Sequence, residues 1–248
     1  MRTAFFEGKK GGLMRVGQRW HDFFDATMPN VALRAVVMLA GIAFVAFGIA
    51  LSRATDLGIS AISCIPGVLN YATGFSLGTI TFVFNVLLAL SQIALLRRKY
   101  KPLQLLCIPF LFYFSALIDL FVLVTMQIPM PVYPVRLLFS FLSCCSIALG
   151  VWLQKKAALI MLPGDGIVQT ISAVFHTDFG KTKIAFDLSL ITTGAVMSFA
   201  LMGGLYGVRE GTIMAALIVG VIIRFIDAHL PRFDYFVPVE GHPTLTAD

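Results

Sequence analysis

Charge is what this sequence has least of. Asp, Glu, Lys and Arg make up 13% of its 248 residues, against 58% hydrophobic residues and a mean hydropathy of +0.88. Soluble domains carry about a quarter charged residues, and a chain of this size cannot bury so much apolar surface in water. That excludes ordinary cytosolic enzymes, disordered regulators and secreted disulfide scaffolds. A P-loop, a dinucleotide-binding glycine fingerprint and an HExxH pair are also missing, so nucleotide-driven pumps and zinc hydrolases fall away and no enzyme is expected. The four cysteines Cys64, Cys107, Cys144 and Cys145 lie in apolar stretches without CxxC or Cys/His ligand spacing. They read as small buried hydrophobes, and neither a metal nor a cofactor is expected.

What is present is apolar sequence in span-length runs, which makes this an integral membrane protein whose first partner is the lipid bilayer. The net charge of +6 does not point to nucleic acid, because the 19 Lys and Arg residues sit between apolar segments, as topology determinants do. Residues 1–30 form a basic leader with Arg2, Lys9, Lys10, Arg15 and Arg19. Within it Leu13, Val16, Trp20, Phe23, Phe24 and Met28 recur at helical spacing, as in a helix lying on a membrane surface. No A-x-A cleavage site follows, so a cleaved signal peptide is not expected.

Walking from charge to charge gives the spans. Ala35 to Ser52 is the first, and Leu57 to Leu96 runs 40 residues without a charge, too long for one helix and broken at Gly74-Phe75-Ser76-Leu77-Gly78. Pro102 to Met126 follows, then a loop with Pro129, Pro131 and Pro134, then Leu137 to Gln154, Leu159 to Phe175, Ile184 to Met202 and Gly211 to Leu230. Two of these eight pieces, Leu57 to Thr73 and Leu159 to Phe175, are short and rich in Gly, Pro and Ser. The expected fold is therefore all-α: a polytopic transmembrane bundle of about six spans plus two re-entrant or broken helices. A first membrane half covers 31–126, a second 134–230, and a tail 231–248. Six crossings keep Arg97, Arg98, Lys99, Lys101, Lys155, Lys156, Lys181 and Lys183 on the side of the leader, which the positive-inside rule makes cytoplasmic at both termini; eight crossings scatter them.

The halves echo each other at a fixed shift of 102, which pairs Arg34 with Arg136, Gly48 with Gly150, Gly78 with Gly180 and Asn85 with Asp187. Ile118-Asp119 and Ile226-Asp227 pair only at a shift of 108. Three crossings per half make the two halves inverted, the plan of many secondary transporters, with broken helices meeting at a central site.

Several stretches resemble a known family. Leu57-Gly58-Ile59-Ser60-Ala61-Ile62-Ser63 with Pro66, Ser76-Leu77-Gly78-Thr79, Asp165-Gly166-Ile167-Val168, Phe179-Gly180-Lys181 and Val208-Arg209-Glu210-Gly211-Thr212 are similar to the YczE/YyaS/YitT-type bacterial membrane proteins. The resemblance covers about residues 30 to 230. It implies a multi-pass protein of the bacterial cytoplasmic membrane and assigns neither an activity nor catalytic residues.

Ionisable groups at membrane depth cost about 2.5 to 3.5 kcal/mol on insertion scales, so each needs a partner or a cavity. Asp119 is an ion or proton site, or else a carboxylate near the outer interface or paired with Arg136 or Arg53. Asp165 is an N-cap, or else binds a substrate or coupling cation at the start of a half-helix, with Ser60 and Ser63 facing it. Asp187 pairs with Lys183, and Asn85 hydrogen-bonds a neighbouring helix. Arg209 and Glu210 open the last span, where they cap the helix or contact an anionic group. Gly41 and Gly48 give the first span a face for close packing. The expected function is a small secondary transporter or permease for a small molecule or ion. The competing reading is an accessory protein that binds a membrane protein partner, or itself as a homo-oligomer, and transports nothing.

Overall fold

A computed structural model describes residues 31–96, 107–157, 159, 162–177 and 179–229. The expected surface helix of the leader, the tail and the basic loop at 97–101 lie outside the described residues. Among the described residues there are eight helices and no strands: α1 Val31–Thr55, α2 Cys64–Thr73, α3 Leu77–Leu96, α4 Cys107–Thr125, α5 Tyr133–Ala157, α6 Pro163–Phe175, α7 Phe179–Met202 and α8 Glu210–His229. A single 3-10 turn, Ala61–Ser63, leads into α2.

Five helices are long and apolar enough to cross a bilayer: α1, α3, α4, α5 and α7. The sixth expected span, α8, is not among them: of its 20 residues the apolar section is Glu210–Ile223, about 21 Å long and short of a hydrocarbon core. The two expected short pieces are α2, with 10 residues, and α6, with 13, neither of which can span. Pro134, read as a loop residue, falls instead in the first turn of α5, where its missing N–H costs nothing. Gly74 ends α2 in the left-handed region at φ +74, and its N–H donates to the Asn70 carbonyl at 3.1 Å.

Helix α1 is the centre of the bundle. Its apolar window is 61% buried, against 17–39% for the other four spans, because it packs on both α4 and α5. Met38, Ile42, Ala46, Ile49 and Ala50 line its inward side. Helix α5 also packs on α8, α3 on α4 and α6, and α2 on α7. Around this core an outward belt that includes Phe112, Leu123, Leu138, Ile184 and Leu217 is exposed. Such a belt would aggregate in water and is what lipid-facing helices present. The chain is an all-α helical membrane bundle.

The α1–α5 crossing depends on small residues. A Cβ at Gly41 would stand 2.8 Å from the Gly150 carbonyl oxygen, and a Cβ at Gly48 would stand 2.9 Å from that of Ser143. Contact points rise along α1 as they fall along α5, so the two helices run antiparallel. Ser146 Oγ donates to the Phe44 carbonyl at 2.7 Å across the same crossing. The expectation of a packing face at Gly41 and Gly48 is met by backbone-to-backbone approach.

Candidate functional site

The starts of the two short helices meet inside the bundle. A Cβ at Gly164, in the first turn of α6, would run into the end of the Ile62 side chain of the 3-10 turn before α2, so a larger residue here would make Ile62 move. Beside it, a Cβ at Gly166 would touch the Gln92 amide at 3.0 Å, and Gln92 Nε2 donates to the Pro163 carbonyl at 2.8 Å. Gln92 belongs to a polar stripe on the inward side of α3 that also holds Thr81 and Asn85, all three buried. On the opposite side, Gly194 of α7 takes the Cys64 Cβ, with an added methyl 3.1 Å away. Glycines thus seat each short helix against the long helix of the other half.

The charged residues here are Asp165, Lys183 and Asp187. Asp165 lies in the first turn of α6, but Leu162 is the N-cap, so the expected capping role does not hold. The Asp165 carboxylate turns to α7 and meets the Lys183 ammonium at 3.0 Å. Lys183 also stands 3.1 Å from Asp187 Oδ1, the pair expected from their i, i+4 spacing. Beyond this ion pair the buried Oδ1 has no hydrogen-bond partner among the described residues. Asp187 stands about 12 Å along α7 from Phe179, a third of the way through the helix.

The other predicted residues divide between this site and the far end of the bundle. Ser60 and Ser63 precede α2, with Ser60 Oγ donating to Ser63 Oγ at 3.3 Å. Asn85 Nδ2 donates to the Thr81 carbonyl of its own helix at 2.8 Å, rather than to a neighbouring helix, while its Oδ1 lies 4.0 Å from a Cβ added at Gly164. Thr81, 3% exposed, has a hydroxyl without a partner among the described residues.

Asp119, Arg209 and Glu210 are elsewhere. Asp119 Oδ1 accepts from the Gly78 N–H at 2.7 Å and Oδ2 from Ser76 Oγ at 2.8 Å, so the carboxylate satisfies the start of α3. Neither arginine proposed as its partner reaches it: Arg136 Nε donates to the Met130 carbonyl, and Arg53 donates to Asn70 and Tyr71. Gly74 to Gly78 also has GxSxG spacing, a signal the turn reading passed over. That motif needs a strand leading into a helix; here it joins two helices, and Ser76 Oγ is engaged with Asp119 and Thr79.

Arg209 donates to the Asp56 carbonyl at 3.0 Å and stands 3.4 Å from Glu210 Oε1, which also lies 3.5 Å from the Tyr133 hydroxyl. Asp56, with φ +57, accepts from the Tyr71 hydroxyl at 2.7 Å, and the Arg53 guanidinium lies over the Tyr71 ring at 3.7 Å. This network ties the end of α1 to the end of α2 and the start of α8. Sequence reasoning missed Tyr71, Asn70 and Asp56, whose only signal is their place beside turn residues.

One family model matches residues 32–228, and it describes a family of unknown function, DUF6198. The chain belongs to this family. The match takes in all eight helices but the first residue of α1 and the last of α8, so both short helices and the charged cluster lie within the matched stretch. No curated protein and no solved structure matches the chain.

Proposed function

We propose that the chain is a small secondary transporter or permease-like protein for a small solute, built of two inverted halves that rock about α2 and α6. The observation that carries this reading is how the packing repeats under the 102-residue shift that separates Phe44 from Ser146. That shift turns the contact of Gly41 with Gly150 into that of Ser143 with Gly48, and Val45 with Gly150 into Ile147 with Gly48. It turns Gln92 with Gly166 into Gly194 with Cys64. Phe44 meets Ser146 and Ile62 meets Gly164, each residue touching its own counterpart, as residues on a two-fold axis do. The antiparallel α1–α5 crossing supports inversion, and paired short helices with their starts at the axis are the elements that alternating access uses.

The solute site in this reading lies between the starts of α2 and α6, with Ser60, Ser63, Asn85, Asp165 and Asp187. Asp119, Arg209 and Glu210 hold the outer end together. Lys155 and Lys156 at the end of α5 favour a cytoplasmic face there and cytoplasmic termini, in the bacterial plasma membrane that the YczE/YyaS/YitT-type resemblance implies. The competing reading, an accessory protein, loses the Gly41 and Gly48 face as a contact surface, because the α1–α5 crossing occupies it.

The test is a thermal-shift screen of the purified protein in lipid with panels of amino acids, sugars and organic cations, followed by uptake of any stabilising compound into proteoliposomes. Transport requires a compound that both stabilises and accumulates, with both effects lost in Ser63→Ala and Asp165→Asn. Stoichiometric co-purification of another membrane protein, with no stabilising compound, would replace it by the accessory role.

A further inference from the structure

We infer that Asp165, Lys183 and Asp187 form a proton-binding site in which Asp187 takes up and releases the proton that drives transport. The inference rests on the transporter reading and names its coupling ion.

The cluster holds two carboxylates and one ammonium at the junction of α6 and α7. With all three ionised, two carboxylates share one ammonium and the cluster keeps one net negative charge, inside a helix that crosses the bilayer. Membrane depth disfavours that charge, and uptake of one proton removes it. The two acids are not equivalent. Asp165 sits in the first turn of α6, where the helix dipole favours a carboxylate, and it is the one held by Lys183 at 3.0 Å. Asp187 is more enclosed, with side-chain exposure of 22% against 39%, and its Oδ1 is buried without a hydrogen-bond partner among the described residues. Of the two, Asp187 is therefore the one that takes the proton.

The surroundings point to a proton rather than a metal ion. Lys183 Nζ already stands where a cation would bind, 3.0 Å and 3.1 Å from the two carboxylates, so an alkali ion would have to displace it. Helix α7 is packed on by α2, α6 and the 3-10 turn. Of the titratable groups these carry, Cys64 faces α7 from α2 and Asp165 from α6, while Ala61–Ser63 brings none. Asn85 of α3 comes near the start of α6, its Oδ1 4.0 Å from a Cβ added at Gly164, and one turn before it on α3 is the buried Thr81, whose hydroxyl lacks a partner among the described residues. Under the same 102-residue shift Asp165, Lys183 and Asp187 correspond to Ser63, Thr81 and Asn85, which are neutral. One half thus holds the ion chemistry and the other offers hydrogen bonds to an uncharged part of the solute. In the step itself a proton from the aqueous phase bonds to a carboxylate oxygen of Asp187, and the same O–H bond breaks when the proton leaves on the other side.

The experiment is an infrared titration of the full-length protein in lipid vesicles from about pH 5 to 9, across the range where ordinary aspartates are already ionised. The wild type should gain one protonated-carboxyl band per chain as the pH falls. Asp187→Asn should abolish the band, Asp165→Asn should abolish it because Lys183 then pairs with Asp187, and Lys183→Met should keep it through the whole range. A wild-type spectrum that does not change with pH, a band that survives Asp187→Asn, or stabilisation of the wild type by sodium chloride but not by potassium chloride would each overturn the proposal. No solute is needed, so a failed titration leaves the transport reading standing, and a good titration beside failed uptake removes transport alone.

Discussion

The α1–α5 crossing makes a quantitative prediction, because the same change, glycine to alanine, can be made where there is no room and where there is plenty. At Gly150 an added Cβ would stand 2.5 Å from the Gly41 carbonyl oxygen and 2.7 Å from the Val45 nitrogen, both backbone atoms. At Gly220 of α8 nothing lies within 4 Å. Ordinary van der Waals contact needs about 3.5 Å, so Gly150→Ala forces the two central helices roughly 1 Å apart. No side-chain rotation can relieve it.

Overpacking of this kind costs about 1–3 kcal/mol, against a helix-propensity gain of about 1 kcal/mol for replacing glycine by alanine. Gly220→Ala should therefore stabilise by up to about 1 kcal/mol, while Gly150→Ala is neutral to about 2 kcal/mol destabilising. The two variants should differ by about 1–3 kcal/mol. Gly48→Ala, which meets Ile147 Cγ1 at 2.5 Å and the Ser143 oxygen at 2.9 Å, should behave like Gly150→Ala, since both glycines lie at the same crossing of α1 and α5. The assay is equilibrium unfolding in mixed micelles followed by helical circular dichroism. If Gly150→Ala and Gly220→Ala unfold at the same midpoint, close packing is not what holds α1 to α5.

Asp119→Ala should lower stability by about 0.5–2 kcal/mol through loss of a helix-start acceptor, measured in the same micelles, while Asp119→Asn keeps an acceptor for Gly78 or Ser76 and loses less. Arg209→Ala should cost no more than about 1 kcal/mol, because its 3.9 Å approach to Asp56 is exposed, and any uptake activity should survive it. In a background without the four native cysteines, Phe75→Cys should react with an impermeant thiol reagent from outside intact cells. Phe175→Cys should react only in inverted vesicles; labelling of both from one side would end the inverted arrangement. Both positions are well exposed, at 66% and 65%.

The fold was legible because lipid imposes a simple rule: charges mark the ends of spans, and the run from Leu57 to Leu96 had to hold two helices. The short helices were legible too, since α2 and α6 are each only 10 and 13 residues long and carry their glycines and prolines at the start. Partnership was harder. Lys183 could be paired with Asp187 from an i, i+4 spacing, but its closer partner Asp165 comes from another helix, and only three-dimensional packing brings them together. Asp119 showed the opposite difficulty. An acid between Ile118 and Leu120 looks buried in lipid, yet the start of α3 lies beside it, and that helix start is invisible from the sequence of α4. Thr81, Asn85 and Gln92 share one face of α3, a stripe that spacing alone could have revealed.

If the halves are copies, what matters functionally lies where the copies differ. Contacts made by glycine backbones repeat almost residue for residue, so packing gives neither half an advantage and the two orientations of a rocking bundle would be close in energy. The charges do not repeat: α6 and α7 carry Asp165, Lys183 and Asp187 where the first half has Ser63, Thr81 and Asn85. A single proton on the charged side is then enough to favour one orientation over the other, because no matching term in the other half cancels it. In the proposed transporter, repeated packing would make the motion inexpensive, and the unrepeated charge would give it direction.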